Sequence, residues 1–155
     1  MSKPILILFA TMTGNAEYVA KNVGEVARAR GYEPSLVNVC DFGFDLLARE
    51  ARVLAIASTY GEGDPPPDAE DFQSWLAGQE APLLAGLRFA VYALGDTSYD
   101  IFCGFGKRLD TEFERLGGQR IAERSDNDLD YEAGLQQWMD AAFAGFEATE
   151  PAIAG

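Results

Sequence analysis

The chain alternates between short runs that are apolar at almost every position and longer runs in which apolar residues return every three or four places. Residues 4–9 (PILILF), 53–58 (VLAIAS) and 87–94 (LRFAVYAL) are of the first kind, the pattern of parallel strands covered on both faces. Residues 34–39 form a weaker strand and 120–123 a short fifth one. The second kind begins at Asn15, carries Tyr18, Val19, Val23, Val26 and Ala27 on one face, and stops near Gly31. It recurs from Asp68, a candidate cap, to Gly78, with Phe72, Trp75 and Leu76 facing inward. A third helix runs from Phe102 through Leu109, Phe113 and Leu116 to the glycines at 117 and 118, and a last one carries Leu135, Trp138, Met139, Ala142, Phe143 and Phe146. Such spacing marks amphipathic helices. Residues 42–52 read as a short helix or an irregular connection, and the chain from Glu147 as fraying. Five strands alternating with helices predict an α/β, doubly wound, five-stranded parallel sheet in the order 2-1-3-4-5, a three-layer sandwich.

In that order the crevice lies between the first and third strands, and the loops starting at Thr11, Thr59 and Gly95 converge on it, with the acidic turn at Asp126 nearby. The first loop passes directly into a helix, whose leading N–H groups and positive dipole end favour an anion. It has the hydroxyls of Thr11 and Thr13 but no Lys or Arg, and neither a triphosphate loop's Gly-Lys-Ser/Thr ending nor a dinucleotide G-x-G-x-x-G. A single phosphate monoester fits. The other two loops bring Tyr60 and Tyr99, each near glycines, and two aromatic faces beside one phosphate turn suit a flat heterocycle.

Composition narrows the chemistry. One domain is expected from 155 residues. The absence of histidine removes Ser-His and Cys-His nucleophile pairs. Cys40 and Cys103 are far apart, which gives neither a zinc pattern nor a C-x-x-C dithiol. A net charge of −13 disfavours nucleic acid and anionic membranes and favours a basic protein partner. Without an 18-residue apolar run or a signal-peptide pattern, a cytoplasmic monomer is expected.

Five segments in order, TMTGNAE at 11–17, STYGEGDPP at 58–66, ALGDTSYDIFCGFGKRLD at 93–110, LGGQRI at 116–121 and RSDNDLDYE at 124–132, resemble flavodoxins. They are most similar to the flavodoxin-like FMN domains of diflavin reductases, namely sulfite reductase flavoproteins and cytochrome reductases. The resemblance implies FMN as cofactor within a domain spanning 1–148, with 149–155 as a frayed tail. It implies that Thr11, Met12, Thr13, Gly14, Asn15 and Ala16 form the phosphate loop, and that Ser58, Thr59, Tyr60, Gly61, Glu62 and Gly63 run along one face of the flavin ring. Tyr99 would stack on the other face, with Leu94, Gly95, Asp96, Phe102 and Cys103 lining the pocket and Asp126 near the ring edge. Ala16 departs from many flavodoxins, which have a threonine or serine there; Asp96 departs from the cytochrome reductases, which have asparagine. Gly61 would allow its peptide to turn toward the ring. The implied role is an electron carrier rather than a stand-alone enzyme. It would shuttle single electrons from an NAD(P)H-dependent flavin reductase to a haem or iron–sulfur protein with a basic surface. The alternatives are an FMN module or subunit of a diflavin system and, further off, a flavin-dependent quinone reductase. A phosphoryl-accepting receiver has the same strand order but needs acidic residues where Ala10-Thr11 and Ser58-Thr59 stand.

Overall fold

The computed structural model describes residues 3–11 and 13–150. Strands β1 (Lys3–Ala10), β2 (Tyr32–Asn38), β3 (Arg52–Ser58) and β4 (Arg88–Leu94) pair in parallel in the order β2-β1-β3-β4. Helices α1 (Asn15–Ala29), α2 (Glu70–Ala77), α3 (Gly104–Arg115) and α4 (Leu135–Thr149) make the crossovers and close the fold. The predicted fifth strand is two pieces, β5 (Gln119–Arg120) beside Arg88 and Phe89, and β6 (Ser125–Asn127) beside Tyr92, Ala93 and Leu94. The ladder lapses between them where Arg124 turns aside to ion-pair with Asp110 of α3.

Alternation along β1 sorts the two outer layers. Ile5, Ile7 and Phe9 pack with Val19 and Val23 of α1 and with Trp138, Phe143 and Phe146 of α4. Leu6, Leu8 and Ala10 pack with Phe72 and Leu76 of α2 and with Leu109 and Phe113 of α3. Each large side chain buried this way contributes about 1.5–3 kcal/mol, so the central strands are held from both faces and their carboxyl ends form a stable platform.

Several boundaries differ from the sequence reading. The connection after β2 is a pair of 3-10 segments, Val39–Asp41 and Phe44–Arg49. Asp68 does not cap α2; it lies in the 3-10 turn Pro67–Ala69 that leads into it, and no side chain caps that helix. The third helix starts at Gly104, because Cys103 occupies the left-handed region (φ 55°). The chain end is not frayed at 147–150. Helix α4 continues through Thr149, and Glu150 is gripped by Arg52 through two bonds of 2.8 and 2.9 Å, with Arg88 at 3.7 Å. Residues 151–155 of the expected tail lie outside the described residues. No described helix is long and apolar enough to cross a membrane.

The Glu150 carboxyl is shifted below its ordinary range because the attraction of Arg52 and Arg88 outweighs the opposing cost of its burial. A carboxylate with a depressed folded pKa stabilises the protein above its unfolded pKa, near 4.3, and loses that contribution as pH falls through the folded value. Glu150→Gln is therefore expected to cost about 1 kcal/mol at pH 7. The gap from the parent should narrow below about pH 4, which urea denaturation at both pH values will check.

Candidate functional site

At the carboxyl ends of β1, β3 and β4 the loops enclose a cavity of about 420 Å³, within the usual range for small-ligand sites. Thr13 and Asn15 close one end, where α1 begins. The main-chain O of Gly14 accepts the first bond of that helix, from the Tyr18 N–H at 3.0 Å. The N–H groups of Asn15, Ala16 and Glu17 therefore precede any intrahelical acceptor. Gly14, in the left-handed region at φ 93°, makes the turn into the helix, and its N–H donates to Thr11 Oγ1 at 2.8 Å. Among the described residues no Lys or Arg lines the cavity. The donors at this end are amides, a hydroxyl and a side-chain amide, a set suited to a phosphate monoester.

The walls come from the other two loops. Ser58, Thr59, Tyr60 and Gly61 follow β3, while Leu94, Gly95, Asp96 and Tyr99 follow β4. Tyr60 is 50% and Tyr99 41% exposed, so both rings keep much of their surface open at the cavity. The Tyr60 loop is tight. Tyr60 and Asp64 exchange main-chain bonds of 2.7 and 3.0 Å, with Gly61 and Gly63 both at positive φ. No atom lies within 4 Å of where a Gly61 side chain would start, so space is free around that peptide.

Ten of the predicted residues thus meet in one cavity: Thr13, Asn15, Ser58, Thr59, Tyr60, Gly61, Leu94, Gly95, Asp96 and Tyr99. Other predicted residues stand behind it or beside it. Thr11 and Gly14 shape the turn, and Ala16 is fully buried in the core. Glu62 is at the exposed loop tip, and Gly63 packs against Ile101 and Gly104. Phe102 is half-buried beneath the Lys107 ammonium, 5.7 Å from its ring centre. Cys103 is a buried thiol 3.6 Å from the Asn127 carbonyl, its pKa pushed up to about 11 chiefly by burial. That leaves it unreactive at neutral pH. Met12 lies outside the described residues.

Asp126 does not line the cavity. Ser125 and Asn127 of β6 are joined by a side-chain bond, while the carboxylate of Asp126 lies 2.8 Å from Arg124, the residue that also reaches Asp110. Asp128 lines the cavity, as Asp96 does, with Leu129 and Tyr131 beside it, two residues the sequence reading did not select. Residues 126 and 128 are two apart, so strand alternation does not separate them; Asp126 lies within β6 and is held by Arg124, while Asp128 lies just past the strand's end. The Asp128 carboxyl is held below its ordinary range by the Thr97 hydroxyl and by the N–H groups of Thr97 and Leu129. It is an anion at the cavity wall at neutral pH.

A sequence pattern described as flavodoxin matches residues 7–141. The chain belongs to the flavodoxin family. The sulfite reductase [NADPH] flavoprotein alpha-component of Bacillus subtilis (strain 168) is 40% identical over 145 residues, covering 94% of this chain and 24% of that protein. The corresponding component of Photobacterium profundum is 41% identical over 145 residues, 94% of this chain and 24% of the relative. This chain therefore spans about a quarter of the length of these relatives. Among solved structures, a flavodoxin of Streptococcus pneumonia TIGR4 superposes with a TM-score of 0.79 at 27% identity, covering 91% of this chain and 98% of that one. The flavodoxin domain is thus a flavin-binding domain with an electron-transfer role, and the 2-1-3-4-5 order read from the sequence is the order observed.

Proposed function

We propose that this domain binds FMN and passes single electrons between redox proteins. The observation that carries the reading is one cavity with a helix N-terminus free of basic side chains at one end and two half-exposed tyrosines on its walls. Thr13, Asn15 and the leading amides of α1 would hold the phosphate. Tyr60 and Tyr99 would cover the two faces of the flavin ring, and Gly61 would lie along its edge. FMN, when bound, supplies the one-electron chemistry. The protein's part is to orient the ring, exclude water from its faces and set its charge environment. Asp96 and Asp128 in the wall place negative charge near the ring, which disfavours a further negative charge on it.

The exposed acids Glu62, Asp64, Asp100 and Asp130 bring part of the net charge of −13 close to this mouth. They favour a partner with a basic surface, with an NAD(P)H-dependent flavin reductase as donor and a haem or iron–sulfur protein as acceptor. A second reading, an FMN module of a sulfite-reductase-like flavoprotein, is favoured by 40% identity across 94% of the chain with a relative of which this chain covers 24%. Both readings assign the same work to the same residues.

Stripped of any bound flavin, the protein is expected to take up FMN one to one and at least about 100-fold more tightly than riboflavin, because only FMN engages the helix terminus. Fluorescence titration measures both constants. Equal affinity for the two would remove the phosphate cradle, and no uptake of either would overturn the assignment.

A further inference from the structure

The loop bearing Tyr99 and the loop bearing Leu129 and Tyr131 belong to distant parts of the chain, yet one side chain joins them. Asp128 Oδ2 accepts a 2.6 Å hydrogen bond from the Thr97 hydroxyl, and Oδ1 accepts from the Thr97 N–H at 3.1 Å and from the Leu129 N–H at 2.8 Å. Both ends of Thr97 are thus held by a single carboxylate. On one flank Gly95 N–H donates to the Asn127 carbonyl at 2.8 Å; on the other, Ser98 N–H donates to Asp96 Oδ1 at 2.9 Å and Tyr99 N–H to the Asp96 carbonyl at 3.2 Å. The second loop has its own anchor in the core. The buried Tyr92 hydroxyl donates to the Tyr131 carbonyl at 2.6 Å. Segment 95–99 therefore hangs on a loop fixed to the sheet, and its outermost grip is the carboxylate at 128.

That grip stands where rigidity affects binding. The Tyr99 ring is 41% exposed, and no ring contact involving it occurs among the described residues. Its direction is set by the backbone that carries it. A stacking ring on a free loop must lose that freedom each time a ligand enters, a cost that a preorganised loop avoids. Charge-assisted bonds are the strong members of their class, and three of them converge here within 3.1 Å. Asp126, which looks equivalent in sequence, cannot substitute, because its carboxylate is engaged by Arg124 at 2.8 Å.

We infer that Asp128 is a positioning residue for flavin binding, clasping Thr97 so that the Tyr99 ring is preset against the cavity before a ligand arrives. The inference rests on the flavin-binding reading above. It adds a residue that acts on the Tyr99 ring through the loop that carries it. It also gives the carboxylate two roles, since the oxygens that supply negative charge to the cavity wall are the same ones that hold the loop.

Two measurements test the clasp, one of them without flavin. In flavin-free protein, Asp128→Ala should speed hydrogen exchange of the Thr97 amide at least about tenfold, with the β-sheet amides unchanged. Unchanged exchange at Thr97 would overturn the clasp whether or not the protein binds flavin. In titrations, Asp128→Ala should weaken FMN and riboflavin alike by about tenfold and Thr97→Val by about threefold, leaving the ratio between the two ligands as in the parent. In a Tyr99→Ala background the same Asp128→Ala change should cost nothing further, since the ring it positions is gone. A full tenfold loss in that background would assign Asp128 a general structural role instead. Failure of the phosphate reading would show differently, as a parent protein that holds riboflavin as well as FMN.

Discussion

Gly104→Ala is expected to weaken FMN binding by about 100-fold while the domain stays folded. A methyl group at 104 would sit 2.6 Å from the Gly63 Cα and 2.8 Å from its carbonyl oxygen. The two nearest obstructions are main chain, with the Ile101 side chain at 2.9 Å behind them, and overpacking of this kind costs about 1–3 kcal/mol. Helix α3 is fixed by Leu109 and Phe113 in the core, so the part that yields is the Tyr60–Asp64 loop. Moving it displaces Tyr60 and Gly61 from the cavity wall. It also strains the bond from the Phe105 N–H to Thr59 Oγ1, 3.3 Å long, which caps the same helix. Thr59 thus serves the helix as well as the cavity. Flavin titration reads the effect. Gly86→Ala, at a site with no atom within 4 Å, is the matched control and should bind as the parent does. Parent-like affinity in Gly104→Ala would show that the loop position does not govern binding.

Asp110→Ala is expected to have the largest effect on stability. Asp110 is 4% exposed, and its two carboxylate oxygens are taken one each, Oδ1 by Arg120 and Oδ2 by Arg124, both at 2.8 Å. Removing it leaves two guanidinium groups without their shared partner. Breaking a buried pair in this way costs about 3–5 kcal/mol. Arg120 and Arg124 keep 29% and 25% of their side-chain surface in water and hold second partners in Glu114 and Asp126, so about 2–3 kcal/mol is expected after that relief. For a chain of this size the midpoint should fall by about 5–10 °C. Thermal and urea unfolding at pH 7 measure it, and a loss below about 1 kcal/mol would mean that solvent and the second partners replace Asp110 almost entirely.

The central strands were legible in the sequence because burial on both faces leaves them no polar positions. Residues 4–9 and 53–58 admit no other assignment, and the observed strands extend them by one residue or so at an end. The converging loops were legible for a related reason, since glycines, prolines and hydroxyls cluster where strands must stop. What escaped the sequence depends on contacts between distant residues. The split of the fifth strand coincides with the ion pair between Arg124 and Asp110, fourteen positions apart. The choice between Asp126 and Asp128 follows from where β6 ends and from the grip of Arg124 on Asp126, and neither leaves a local trace. The left-handed Cys103 that delays α3 packs so closely on Gly95 that a side chain there would come within 2.8 Å of the Cys103 nitrogen. Nothing in the order of residues 102–104 announces it.

At the pole away from the cavity, Arg52 donates to the Pro4 carbonyl at 3.1 Å while its other nitrogens hold Glu150. A residue of β1 and a residue that follows α4 thus share a single guanidinium. That group ties the start of β1 to the end of α4, so loosening of either element is felt by the other through it. Heat or denaturant would then loosen these two elements together, at the opposite end of the sheet from the cavity.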